Sequence, residues 1–254
     1  QIGTMWECPD FFELDGTHFL ICSPQNMKAQ KYEFHNGNNS VYFVGDYNEN
    51  THTFQKEMPK TLDYGLDFYA PQTTELPDGR RILIAWMKSW DACVIPEEQK
   101  WQGMMTLPRE LHYVNGKLYQ KPVEELKNYR KNSCRLENQE VSGTVQFDEV
   151  KGRILDLTVE ICEGVFDEFC IELAHSQEYT NYRKKQIMEV NRTYCGVTRD
   201  IVCQRAWKLP EQKEPLKLRF IMDRQSIELF INDGEQVSTT AICTPMEAEE
   251  IVFC

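Results

Sequence analysis

Short apolar runs alternate with two-residue turn signals along most of this chain, and that rhythm leaves little choice of fold class. Asp15-Gly16, Asn36-Gly37, Asp78-Gly79, Asn115-Gly116 and Asp233-Gly234 each join a residue tolerant of positive φ to a glycine, the chemistry of a tight hairpin. Around them lie runs at 19–22, 41–44, 81–87, 110–114, 154–161, 169–173, 216–221 and 227–231, many of them alternating or β-branched. The reading is an all-β protein of blades or sandwiches. A short helical turn is expected at 122–129, because Pro122 suits a first helical position and Glu124 and Glu125 complement the helix dipole. Upstream of it the chain is rich in aromatics, and downstream the strands are longer and more evenly alternating. The two domains are therefore expected at 1–125 and 126–254. No internal repeat is evident from which blades could be counted.

With 254 residues and 41% hydrophobic content, the chain can bury a sizeable core. No apolar run approaches the roughly 18 residues of a membrane span, and the first residues carry no basic and apolar targeting segment, so no membrane partner is expected. Forty acidic against 28 basic residues give a net charge of −12, which repels polyanions and argues against nucleic acid as a partner. The ten cysteines show no C-x-x-C pair and no framework spacing. They read as reduced thiols, which favours a cytoplasmic protein. An oxidised, secreted protein with Asn191-Arg192-Thr193 as glycan acceptor remains the alternative. His18, His35, His52, His112 and His175 stand isolated, and there is no phosphate-cradling glycine loop, so neither metal nor organic cofactor is expected.

One carboxylate stands out. Glu7 lies between Trp6 and a Cys8-Pro9 step, and an apolar wall beside a carboxyl disfavours its charged form. A pKa raised in this way suits a general acid that protonates a leaving group.

Four segments then follow in order: Trp6-Glu7-Cys8-Pro9-Asp10, Asp67-Phe68-Tyr69-Ala70, Ile84-Ala85-Trp86-Met87 and Leu107-Pro108-Arg109-Glu110-Leu111. Through them the chain resembles glycoside hydrolase family 32, the invertases, sucrose-6-phosphate hydrolases and related β-fructofuranosidases. The segment 222–235 resembles a strand pair of that family's C-terminal sandwich. The resemblance implies a five-bladed β-propeller, here in part, followed by a β-sandwich that stops short of a last strand. It implies hydrolysis of sucrose, sucrose 6-phosphate or small fructans with retention, and it makes Glu7 the acid/base. Retention also needs a nucleophilic carboxylate about 5 Å away. In the family that aspartate belongs to a Trp-Met-Asn-Asp-Pro-Asn-Gly motif, and another in an Arg-Asp-Pro motif binds fructose hydroxyls. Both motifs precede the glutamate, whereas only six residues precede Glu7. The expectation is the latter part of a longer protein, inactive alone, with Asp10, Asp15 and Asp63 in turn or capping roles.

Trp6, Tyr69, Trp86 and Trp90 are candidates for lining a sugar pocket, Trp6 and Trp90 foremost, since aromatic faces pack on sugar rings. Asp67 is read either as a pocket residue or as a brace for its loop, and Cys8 either as a weak donor tuning Glu7 or as a small buried side chain. Two other classes stay open. One is a noncatalytic carbohydrate-binding protein; the other is an inactive piece whose open propeller exposes strand edges and self-associates.

Overall fold

The computed structural model describes residues 2–88, 90, 99–162, 168–174, 178–183, 186–195, 202–209 and 215–254. Strands β1 (Met5–Leu14), β2 (Thr17–Gln25), β3 (Val41–Asn48) and β4 (Thr53–Lys56) pair in that order, with β5 (Lys60–Thr61) also on β3. A second antiparallel meander runs through β6 (Tyr69–Glu75), β7 (Arg81–Trp86), β8 (Arg109–Val114) and β9 (Lys117–Pro122). These are two propeller blades. Asp15 and Gly16, at φ 50° and 74°, turn β1 into β2, and Asn115 and Gly116, at 52° and 77°, turn β8 into β9, as the dipeptides predict. Asn36-Gly37 differs. It closes no hairpin but folds the 26–40 loop onto itself, with Gly37 paired to Met27.

After a short 3-10 helix at Glu124–Tyr129 come β10 (Leu155–Ile161), β11 (Glu168–Leu173), β12 (Glu178–Arg183), β13 (Ile187–Asn191) and β14 (Gln204–Lys208). The chain ends with β15 (Leu216–Asp223), β16 (Ser226–Ile231), β17 (Gln236–Ala241) and β18 (Val252–Phe253). They form two sheets in the orders β10-β15-β16-β17 and β14-β13-β12-β11-β18, a β-sandwich. Its core holds Trp207, Phe220, Ile171 and Met188, each fully buried. The blades pack on a second core that includes Phe19, Ile21, Leu83 and Leu111.

Segment 63–67 joins these two bodies. It lies along β17, the edge of its sheet: Tyr64 N–H donates to Val237 O at 2.8 Å and Asp67 N–H to Thr239 O at 3.0 Å. An open strand edge is thereby covered by the blade side of the molecule. The contact leaves no space for a side chain at Gly65, where a Cβ would lie 2.0 Å from Thr239 O.

The expectation of reduced cysteines is corrected at one pair. Cys170 in β11 and Cys254 beyond β18 are disulfide-bonded, with Cα atoms 5.0 Å apart. They are 84 residues apart in sequence, and only the β11–β18 pairing brings them together. Cys8, Cys22, Cys134 and Cys162 are free thiols, and burial pushes that of Cys22 up to about 12. Cys93 and His175 lie outside the described residues. No helix among those described is long and apolar enough to cross a membrane.

Candidate active site

Glu7 sits within β1. The ladder to β2 breaks between Glu7 and Asp10, where Cys8 adopts φ 48° and Pro9 has no N–H to donate. The neighbouring blade repeats the device. Its first strand, β6, breaks pairing between Tyr69 and Gln72, with Ala70 at φ 51° and Pro71 following. Glu7-Cys8-Pro9-Asp10 and Tyr69-Ala70-Pro71-Gln72 are therefore one structural element used twice. In each, the bulge re-aims the first side chain, so Tyr69 Oη donates to Glu7 Oε2 at 2.8 Å across the blades.

The two bulges are tied together beneath that contact. Gln72 Nε2 donates to Cys8 O at 3.0 Å, Thr73 N–H to Asp10 Oδ2 at 2.7 Å, and Ala70 N–H to Ser23 Oγ at 3.0 Å. Tyr69 Oη also lies 3.1 Å from Ser23 O. Ser23 is fully buried and Tyr69 is 1% exposed, so the phenol has almost no room to move. Gln25 and Trp90 hydrogen-bond in the same cluster. Trp90 stands exposed at its rim, edge-on to Trp86 at 5.4 Å and to Tyr69 at 6.5 Å.

The electrostatics differ from the sequence expectation. The hydrogen bond from Tyr69 holds the Glu7 carboxyl below its ordinary value, outweighing desolvation, with Gln25 and Trp90 acting in the same direction. Trp6 is not the apolar wall that was expected. Its ring stacks on Phe43 at 5.2 Å and its Nε1–H donates to Ile2 O at 2.7 Å, on the opposite side of the strand from Glu7. The Tyr69 hydroxyl is pushed well up, by burial first and then by the carboxylate it serves. It remains a protonated donor throughout the working range.

Of the residues singled out by sequence, the fold thus gathers Glu7, Tyr69, Trp86 and Trp90, and turns Trp6 to packing. Asp67 requires correction as a substrate-binding residue. It is 1% exposed, and its carboxylate takes Ala241 N–H at 2.8 Å and an ion pair from Arg192 of the sandwich. A carboxylate enclosed by the sandwich has no face for a sugar. Asp10, Asp15 and Asp63 take backbone N–H groups as expected, from Thr73, from Tyr113 and from Gly65 and Thr239 respectively. Ser23, Gln25 and Gln72 escaped sequence reasoning. A signal was present for all three in a step of small residue, proline and polar residue that occurs at Cys8-Pro9-Asp10, Ser23-Pro24-Gln25 and Ala70-Pro71-Gln72.

The family described as "Glycosyl hydrolases family 32 N-terminal domain" matches residues 1–122, and that described as "Glycosyl hydrolases family 32 C terminal" matches 125–254. A raffinose invertase of Escherichia coli is 34% identical over 248 residues, covering 97% of this chain and 52% of the relative. A sucrose-6-phosphate hydrolase of Staphylococcus xylosus is 33% identical over 266 residues, covering 99% and 52%. Among solved structures, a sucrose-6-phosphate hydrolase from Lactobacillus gasseri superposes with TM-score 0.82 at 25% identity, covering 99% of this chain and 52% of that one. The Bombyx mori β-fructofuranosidase superposes with TM-score 0.76 at 28% identity, over 99% and 52%. The chain spans about half the length of the curated relatives it matches. Two family domains in sequence, matching residues 1–122 and 125–254, lead to one conclusion: the chain belongs to glycoside hydrolase family 32.

Proposed function

We propose that this chain provides the acid/base half of a retaining β-fructofuranosidase acting on sucrose, sucrose 6-phosphate or small fructans, with Glu7 protonating the leaving oxygen and then activating water. The supporting observation is the Glu7–Tyr69 contact, a carboxylate re-aimed by a bulge and held by a buried phenol beneath an exposed tryptophan. Trp90 is proposed to pack on the sugar. The divide near 125 is likewise a proposal, and so is a cytoplasmic location, which rests on the free thiols of Cys8, Cys22, Cys134 and Cys162 and is opposed by the Cys170–Cys254 disulfide.

The nucleophile is proposed to come from outside the described residues, because Asp10, Asp15, Asp63 and Asp67 are all committed to backbone or arginine partners. A carboxylate about 5 Å from Glu7 would also repel its charge and lift its pKa towards the range of a proton donor. Such a lift would act against the hydrogen bond from Tyr69, which lowers the Glu7 value in this chain. The chain alone is therefore expected not to turn over sucrose, whereas the same chain joined to the half that its relatives carry upstream is expected to do so. In the active form, Glu7→Gln should lower kcat by about two to four orders of magnitude. Near-normal turnover by that variant would overturn the assignment. Sugar binding without turnover in the joined form would favour a noncatalytic carbohydrate-binding protein.

A further inference from the structure

Among the described residues, Arg192 carries the sandwich's ion pair to the segment that leads into the site. Arg192 follows β13 and is fully buried; its Nη1 ion-pairs with Asp67 and donates to Ala241 O at 3.1 Å, and its Nη2 donates to Val202 O at 3.1 Å. Asp67 is thus gripped from the sandwich side by a guanidinium, by Ala241 N–H and through its own N–H by Thr239 O. Two residues on, Tyr69 opens β6 and touches Glu7. Two residues of chain span at most about 7 Å, and Phe68 between them is packed in the blade core, so a shift of Asp67 is passed to Tyr69.

We propose that Arg192 is a positioning residue for Glu7: through Asp67 it fixes the start of β6, and with it the point at which the Tyr69 hydroxyl meets the Glu7 carboxylate. The sandwich then acts on the reaction without touching substrate. The other end of the relay is equally constrained. Ala70 N–H is held by Ser23 Oγ, and Gln72 ties the following residues to Cys8 O, so the bulge cannot rotate to absorb a displaced Asp67. The significance of this for catalysis rests on the reading of Glu7 as acid/base; the relay itself does not.

The test uses the 254-residue chain and the 13C carboxyl titration of Glu7, which needs no activity. Tyr69→Phe removes the donor and should move the Glu7 pKa upward. Arg192→Lys keeps the charge but loses the two-nitrogen fork, and should move it in the same direction. Val159→Ala loosens the sandwich on β10 without touching Asp67; it should lower the urea midpoint and leave the Glu7 titration in place. A folded Arg192→Lys variant whose Glu7 titration superimposes on the parent's would overturn the relay, as would a Tyr69→Phe titration that does not move. If Arg192→Lys does not fold, Asp67→Asn keeps an acceptor for Ala241 and is read by the same titration with the same two outcomes. In the active, joined protein, Arg192→Lys should displace the pH profile of kcat/KM while Val159→Ala does not. Loss of the hydrolase reading would show separately, as turnover surviving Glu7→Gln.

Discussion

Replacing Arg109 with methionine should loosen the blades from the sandwich more than any surface change of the same kind. Its guanidinium is fully buried and contacts both bodies. From β8 it donates to Asp63 Oδ2 and Gln120 Oε1, both at 3.0 Å, to Glu228 Oε2 at 3.1 and 2.6 Å, and to Thr239 Oγ1 at 2.5 Å. Phe68 from the blade side and Phe230 from the sandwich flank it at 5.1 and 5.5 Å. Methionine keeps the stem and much of the contact with these rings, so the loss is mainly electrostatic. Two buried carboxylates are left behind, and they are not equivalent. Asp63 retains Gly65 N–H, Thr239 N–H and Thr239 Oγ1, whereas Glu228 retains Leu107 N–H at 2.7 Å.

Removing one partner of a buried ion pair costs about 3–5 kcal/mol, because the remaining charge is neither solvated nor paired. For a chain of this size that corresponds to a fall in Tm of roughly 6–20 °C. Since Glu228 has the fewer remaining donors, the double variant Arg109→Met, Glu228→Gln should regain part of the loss. Urea unfolding followed by tryptophan fluorescence is the assay, with Trp207 reporting the sandwich core and Trp86 the blades. Arg80→Met is the contrast. Arg80 also meets carboxylates, Asp78 and Glu125, but on the surface, where water solvates whatever is left, so its midpoint should stay near the parent's. The reasoning fails if Arg109→Met loses less than about 1 kcal/mol, or if adding Glu228→Gln makes matters worse.

Other outcomes follow from the same interface and its surroundings. Gly65→Ala should cost at least about 1–3 kcal/mol by urea denaturation, since a Cβ there would meet Thr239 backbone atoms at 2.0 and 2.1 Å. Gly16→Ala, with open space but φ +74°, should cost only about 1–2 kcal/mol. His35 is pushed down to about 3, by burial first and then by the charge of Arg205. The unfolded chain therefore binds a proton that the folded one refuses. Stability should be full above about pH 6.5 and fall towards pH 3 by up to about 1.4 kcal/mol per pH unit from this group. His35→Gln should flatten that limb, and a parent-like slope in the variant would refute the assignment.

Much of the fold was legible in the sequence because its signals are local. Asp15-Gly16 and Asn115-Gly116 adopt the positive φ values that the dipeptides require, and alternating runs became the strands of both sheets of the sandwich. The location of Glu7 was legible for the same reason, whereas its electrostatics were not. The apolar neighbour in sequence, Trp6, faces away, and the donor that sets the pKa, Tyr69, is 62 residues distant. Asp67 was ambiguous because its partner Arg192 lies 125 residues further along the chain.

A motif identifies a residue that matters but leaves its role to long-range pairing. Asp63 and Asp67 flank Gly65 in one segment and receive Arg109 and Arg192, which approach from opposite bodies of the molecule. Arg109 comes from the blades and binds Glu228 of the sandwich as well; Arg192 comes from the sandwich and binds Asp67 just before β6. Each arginine therefore crosses the same joint in the opposite direction, with a glycine between the two carboxylates so that the backbones can touch. Such a joint resists sliding as well as separation, because a movement that lengthens one ion pair cannot be relieved at the other. With Tyr69 immediately beyond it, a rigid joint is also what a carboxylate needs if its proton is to be delivered to one fixed point.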